Sequence, residues 1–314
     1  MFEQQSVSVS TAFGIKGADM QINGYKAGHI HQGFVPDASK GYVFRREVAS
    51  TLLAWWSFED SPLYIWGPMG SGKTSGLLEM AAQLNIPVQM VSCHSRLETP
   101  ELVGRYVLND EGGMDFVDGP LTTAMRHGHL LILDEVDLLD PGTAAGLNGL
   151  REGLPLMIPE TGETVRAKSG FRMAVTANTQ GNGDEHGVYP GTNRLNQAFL
   201  DGFCGMEINY PSKEVEVEIL QDAHPDMDSR VLGCMVDIAN QIRKAFMGNP
   251  DADDSDETIE LTMSTRSLLQ WARWRSIAGE HPQPWVFSME RSLTWRASPE
   301  TKAFIEGIIE RAMG

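Results

Sequence analysis

Positive charge is scarce in this 314-residue chain: 25 Lys and Arg stand against 42 Asp and Glu, a formal net charge of −17. A surface of that sign repels phosphate backbones, so a nucleic-acid interface spread over the whole molecule is excluded, leaving room only for a local basic patch or a small basic pore in an oligomer. Cysteine is also sparse. Cys93, Cys204 and Cys234 lie far apart, which excludes a disulfide framework and suits a reducing compartment. No stretch approaches the ~18 apolar residues of a membrane span, and the first five residues, Met-Phe-Glu-Gln-Gln, carry no basic segment leading into an apolar run. A cytoplasmic protein is expected. Internal repeats and low-complexity tracts are missing too. The length accommodates one large domain and a smaller one, each able to bury a core.

What is present is organised around residues 63–74. Leu63, Tyr64, Ile65 and Trp66 form a short buried-strand signal that runs into Gly67, Pro68, Met69, Gly70, Ser71, Gly72, Lys73 and Thr74, with Ser75 opening a helix over 75–84. This is G-x-x-x-x-G-K-[ST] with a strand before it and a helix after it. Glycines let backbone N–H groups fold around phosphate oxygens, and the helix N-terminus adds partial positive charge. Lys73 is placed to reach the outer phosphates and the Thr74 hydroxyl to hold Mg²⁺. A glycine-rich turn that binds nothing leaves the complete motif unexplained, so residues 67–75 are the nucleotide-binding candidates.

Before that loop, residues 1–44 read as an arm packed on the core through Phe13, Ile15, Phe34, Val35 and Phe44, and a helix is predicted over 45–58. After it, strands are predicted at 88–93, 130–133, 172–177 and 203–210, helices at 100–103, 121–126 and 141–152, and hairpins at 105–117 and around a turn at 160–163. Leu130, Leu131, Ile132 and Leu133 are apolar on both faces, the pattern of a parallel strand covered by helices. Strands alternating with helices specify an α/β three-layer parallel sheet over 45–211. Residues 212–314 read as a helical lid: helices at 229–246, 265–278 (capped by Ser264) and from 299, the last with Phe304, Ile305, Ile308 and Ile309 inward. Within it, residues 214–219 alternate Glu with Val or Ile like a strand and are assigned to helix only by the resemblance given below, and the acidic loop 249–257 lacks the central Gly and terminal Glu of an EF-hand.

Asp134 and Glu135 end the apolar strand. An aspartate there can hold Mg²⁺, and the adjoining glutamate can polarise a water for attack on a γ-phosphate, which points to hydrolysis rather than transfer. Two solvated carboxylates at a strand end are the bland alternative. Asn178 tips the next strand, where its amide can position the same water, although Asn at a strand end is more often a turn residue. Arg266, at the start of a lid helix, can reach β/γ-phosphates or can simply be a solvated helix arginine.

Loop, acidic pair, polar strand tip and lid arginine, in that order, resemble the AAA+ ATPases. The two hairpins, together with residues 187–192 (Gly-Val-Tyr-Pro-Gly-Thr) and Leu200-Asp201, resemble the MoxR group, and most of all the CobS-type ATPase subunit of aerobic cobaltochelatase. The likeness extends to the arm (residues 11–15, 35–37 and 42–44) and to Leu102-Val-Gly104, Thr176-Ala-Asn-Thr179 and Asn196-Gln-Ala198, so it covers nearly the whole chain. It implies a hexameric ring with ATP and Mg²⁺ at subunit interfaces, and a partner protein carrying a von Willebrand A domain. By the same likeness Lys73 and Thr74 belong to Walker A, Asp134 and Glu135 to Walker B, Asn178 to sensor 1 and Arg266 to sensor 2. One departure stands out: Leu200-Asp-Gly-Phe203 has Gly202 where relatives carry the arginine that enters a neighbour's ATP site. Arg194, eight residues earlier and about 12 Å away along a continuous helix, is the candidate substitute.

The leading expectation is a ring ATPase that remodels a partner protein, as a MoxR-type chaperone. Alternatives are the motor subunit of a cobalt chelatase, a nucleic-acid-stimulated ATPase using Arg166 and Lys168 in the second hairpin, and an ATP-binding switch with weak hydrolysis. His29/His31 and His127/His129 are two His-x-His pairs with no third ligand beside either, and they read as surface or packing residues.

Overall fold

The computed structural model describes residues 2–39, 41–184, 189–247 and 259–313, so the acidic loop 249–257 and the first part of the 187–192 motif lie outside the described residues. By its internal contacts the chain divides into two compact units. One comprises Met1–Pro68 and Lys73–Ile208, the other Met69–Gly72 and Asn209–Gly314.

In the first unit the arm is more structured than an extended tail. Strand β1 (Gln4–Ser8) leads into a short helix α1 (Val9–Phe13) and then β2 (Gln21–Tyr25), which pairs antiparallel with β1. Val9, Phe13, Ile15, Ile22 and Tyr25 are buried, whereas Phe34, expected inside, is 47% exposed. The core then follows as α2 (Arg46–Phe58), β3 (Leu63–Trp66), α3 (Lys73–Gln83), β4 (Val88–Ser92) and α4 (Thr99–Val103). A first hairpin of β5 (Gly104–Leu108) and β6 (Met114–Asp118) precedes α5 (Pro120–His127) and β7 (Leu130–Asp134). The helix expected over 141–152 is broken at Leu147 into α6 (Pro141–Gly146) and α7 (Asn148–Arg151). A second hairpin of β8 (Leu156–Ile158) and β9 (Glu163–Val165), then β10 (Arg172–Ala177), α8 (Gln197–Leu200) and β11 (Cys204–Glu207), complete the unit.

Five parallel strands form one sheet in the order β11-β3-β10-β7-β4. Alternation along each strand sends side chains into two separate cores. Leu63 and Ile65 of β3, with Leu130 and Ile132 of β7, join α2, α3 and the arm, while Tyr64, Leu131 and Leu133 join α4, α5 and α6. That is why the β7 run is apolar throughout: each fully buried Leu or Ile is worth about 1.5–3 kcal/mol, and both faces are covered. The hairpins are tied to this layer. Tyr106 Oη donates to Glu160 O at 3.1 Å, and the Arg126 guanidinium spans Asp118 at 2.6 Å and Glu163 at 2.5 Å. Arg166 and Lys168 stand after the second hairpin, whose last strand ends at Val165, not within it.

The second unit is helical: α9 (Lys213–Ala223), α10 (Ser229–Met247), α11 (Thr265–Ala278), α12 (Pro284–Ser292) and α13 (Pro299–Met313). The strand-like alternation at 214–219 is helix, because Glu216 rather than Val215 or Val217 is the fully buried position. Arg243 meets it through two bonds, Nη1–Oε2 at 2.7 Å and Nη2–Oε1 at 2.8 Å, while Arg243 Nε donates to Met263 O and Thr265 Oγ1 to Glu216 Oε1. Hydrophobic periodicity cannot detect a buried ion pair. Removing one partner leaves an uncompensated buried charge, so Glu216→Ala is expected to cost about 3–5 kcal/mol. Urea unfolding followed by tryptophan fluorescence checks this, and adding Arg243→Met to the same chain should restore much of the loss. Helix α12 had no counterpart in the sequence reading: Pro282 and Pro284 look like loop residues, yet Pro284 opens the helix and Trp285 and Met289 are buried. Among the described residues no helix is long and apolar enough to cross a membrane.

Candidate active site

The ends of β3, β7 and β10 bring the predicted residues of the first unit together. Gly67 leaves β3 with φ +146°, and a Cβ there would lie 2.1 Å from Ile208 O, so only glycine fits. Gly70 and Gly72 also have positive φ, at +71° and +96°. Helix α3 starts at Lys73, two residues earlier than expected, which puts Thr74 and the exposed Ser75 on its first turn.

Lys73 is 8% exposed, and its Nζ donates to Gly67 O at 2.8 Å, Pro68 O at 3.0 Å and Asn178 Oδ1 at 2.9 Å. Burial pushes its pKa down to about 8, against the opposing pull of Asp137, Asp134 and Glu135. Because β10 lies between β3 and β7, Asn178 at its tip reaches the lysine from the side facing Asp134. The register pairs Val175 with Leu133, and Thr176 therefore stands beside Asp134. Asp134 Oδ1 accepts from Thr74 Oγ1 at 2.5 Å and from Thr176 Oγ1 at 2.6 Å.

Glu135 adopts left-handed φ 59° and ψ 48°, a conformation that costs a non-glycine residue about 1–3 kcal/mol and is held only where its surroundings impose it. Its N–H donates to Thr176 Oγ1 at 3.1 Å and its carbonyl accepts from Leu138 N at 2.9 Å. Burial, then Asp134 and Asp137, raise its carboxyl pKa, which makes it a stronger base than a solvated glutamate.

Asp137 was not singled out in the sequence, although a carboxylate between Val136 and Leu138 is an anomaly that points to a partner. It is fully buried, and its Oδ2 accepts from Asn178 N at 2.8 Å, Thr179 N at 3.0 Å and Thr179 Oγ1 at 3.2 Å. Asp137 thereby fixes the strand tip that carries Asn178. Asp137→Ala is expected to lower unfolding free energy by about 2–4 kcal/mol through the stranded N–H groups, measured by chemical denaturation, with loss of turnover beyond what stability accounts for.

Arg194 does not lie on a helix continuous with Gly202. It is exposed, its backbone forms an isolated antiparallel bridge with Asn182, and α8 begins only at Gln197. The space over Gly202 belongs instead to Arg151, another residue the sequence did not flag: a Cβ at Gly202 would lie 1.5 Å from Arg151 Nη1. The Arg151 side chain is only 10% exposed. In the second unit, Arg266 is exposed on the first turn of α11, after a turn fixed by the Ser264 cap on Ser267 N at 3.0 Å and by the Arg243–Glu216 pair.

A parallel sheet carrying this loop, acidic pair and polar strand tip defines a P-loop ATPase fold of the AAA+ class. Residues 62–199 match the AAA domain of the dynein-related subfamily, and residues 216–312 match the CbbQ/NirQ/NorQ C-terminal domain. The chain is 30% identical over 284 residues to the aerobic cobaltochelatase subunit CobS of Sinorhizobium sp, covering 88% of this chain and 82% of that protein. It is 32% identical to the denitrification regulatory protein NirQ of Stutzerimonas stutzeri (68% of this chain, 71% of NirQ) and 34% identical to NorQ of Paracoccus denitrificans (67% and 72%). The chain belongs to the AAA+ ATPases of the MoxR group, close to CobS.

Proposed function

We propose that this chain hydrolyses ATP as the motor of a ring assembly, hexameric by likeness to its family, and uses the cycle to remodel or activate a partner protein. The observation that carries hydrolysis is the Asp134–Glu135 junction. A metal-type carboxylate is clamped by Thr74 and Thr176, and a base with a raised pKa is held in a strained backbone conformation beside it.

The donor set fits a magnesium nucleoside triphosphate. Glycine backbone turns leave space for phosphate, Lys73 supplies a buried cation, and Thr74 and Asp134 present paired hard oxygens. Mg²⁺ held there would neutralise charge on the β- and γ-phosphates. Lys73 exchanges its loop carbonyls for phosphate oxygens. Asn178, released from the lysine, orients the attacking water, and Glu135 takes its proton. By the family likeness Arg266 serves as the lid residue that senses the γ-phosphate, and the trans-acting arginine falls to Arg194, since its side chain is solvent-exposed whereas that of Arg151 is largely enclosed by its own chain. A partner with a von Willebrand A domain and a cytoplasmic setting are the extension of the MoxR likeness to this chain. Action as a cobalt chelatase motor is the narrower form of the same proposal, suggested by the identity to CobS.

Phosphate release by assembled wild type, with and without Mg²⁺, tests the reading; absence of Mg²⁺-dependent release overturns it. In the same assay Arg194→Ala is expected to lose at least about tenfold in turnover, and unchanged turnover would remove Arg194 from the site.

A further inference from the structure

The two His-x-His pairs, 96 positions apart in the chain at His31 and His127, are brought together by the fold. His31 lies 4.6 Å from His127 and 4.8 Å from His129 between ring centroids, and His127 lies 5.7 Å from His129. Each pair, without a third imidazole beside it in sequence, has one near it in the fold. The place is the N-terminal end of β7, which begins at Leu130, about 13–16 Å along the strand from Asp134 and outside the nucleotide site.

We propose that His31, His127 and His129 form a three-imidazole site for a divalent transition-metal ion of the Zn²⁺, Ni²⁺ or Cu²⁺ type, pinning the N-terminal arm to the ATPase core. Spacing is the first support. With a metal–nitrogen bond of about 2.0–2.1 Å, a ring centroid stands about 3.2 Å from the metal, so tetrahedral ligands have centroids about 5.2 Å apart. The three observed separations bracket that value. As the side chains stand, no group of three or more His, Cys, Asp or Glu among the described residues is arranged to hold a metal ion. The site therefore requires half-buried His31 and His127 to turn their rings.

The second support is His129. Its side chain is fully buried, and its Nε2 has no hydrogen-bond partner, an expensive condition for a polar atom. Its Nδ1 lies 3.2 Å from Gln89 Nε2. Metal binding requires this amide to turn its oxygen to Nδ1, so that Nδ1–H donates to it and Nε2 presents its lone pair, the arrangement by which outer-shell groups orient ligating histidines. His29 has a different task. Its Nδ1 accepts from His31 N at 3.2 Å, which leaves Nε2–H to donate to Asn85 O at 3.0 Å, so it holds the 29–31 segment against the end of α3. Phe2 and Phe34 flank the cluster and give it an apolar wall. Lys168 is the nearby cation a bound metal would face. All three ligands are neutral nitrogen donors with no carboxylate among them, which selects against Mg²⁺ and Ca²⁺.

The test uses the full chain without a histidine tag, stripped by a chelator and titrated with Zn²⁺ in a calorimeter. One equivalent should bind with micromolar or tighter affinity and raise the thermal midpoint. His31→Gln and His127→Gln, both at partly exposed positions, should each weaken binding at least tenfold, and Lys73→Ala should leave it unchanged. Failure of saturable binding, or binding indifferent to the two histidine variants, overturns the site without touching the nucleotide assignment. Cu²⁺ bound to the wild-type chain gives a reading that needs no variant. Superhyperfine splitting from imidazole nitrogens is expected in its paramagnetic resonance spectrum, and a spectrum with oxygen ligands alone overturns the proposal.

Discussion

Glu135→Gln is expected to lower ATP turnover by about 10²–10⁴-fold while leaving nucleotide affinity within a few-fold of wild type. The amide keeps the size of the side chain and the left-handed backbone, so the loop, Lys73 and the Thr74–Asp134 pair should stay in place. What it removes is the proton acceptor. Single-turnover phosphate release, alongside calorimetric titration with ATP, separates the two effects. Equal and negligible rates for wild type and variant would replace the motor by an ATP-binding switch, the alternative that Gly202 favours. The same variant, holding ATP uncleaved, is the form on which to capture native partners.

Lys73→Ala is expected to act one step earlier and weaken ATP binding by about 10²-fold or more, a loss near 3 kcal/mol. Lys73 is buried and already desolvated, so its charge meets phosphate at little further cost. The variant also frees Asn178 Oδ1 and the carbonyls of Gly67 and Pro68 from their bonds to Nζ. Tight ATP binding retained in calorimetry would overturn the assignment of the nucleotide site. Loss of binding, set beside retained binding in Glu135→Gln, distinguishes a residue that holds phosphate from one that acts on water.

Sequence alone carried the nucleotide site a long way, because that site is built from contiguous segments. A strand, a glycine loop and a helix N-terminus follow one another without interruption from Leu63 to Thr74, and local chemistry dictates their geometry. The apolar run of β7 announced a strand covered on both faces, the first hairpin declared itself by alternation around its turn, and the second by the turn at 160–163. Helix α9 is the contrary case. Its Glu-Val alternation describes a strand, and only the family resemblance pointed to helix; the physical reason is that Arg243, on another helix, neutralises Glu216 in the interior.

What only the tertiary structure decided depends on residues far apart in the chain. The register of β10 against β7 sets Thr176 on Asp134, and the buried carboxylate of Asp137 positions Asn178. Arg151, from α7, fills the space over Gly202, and the loop before α8 removes the helix on which Arg194 was expected. The histidine pairs make the same point most sharply. Each pair is unremarkable alone, and composition and spacing hold no information about their meeting. Local motifs survive in sequence because backbone geometry is short-ranged; a cluster assembled across a sheet is defined by strand order and packing, which linear spacing does not encode.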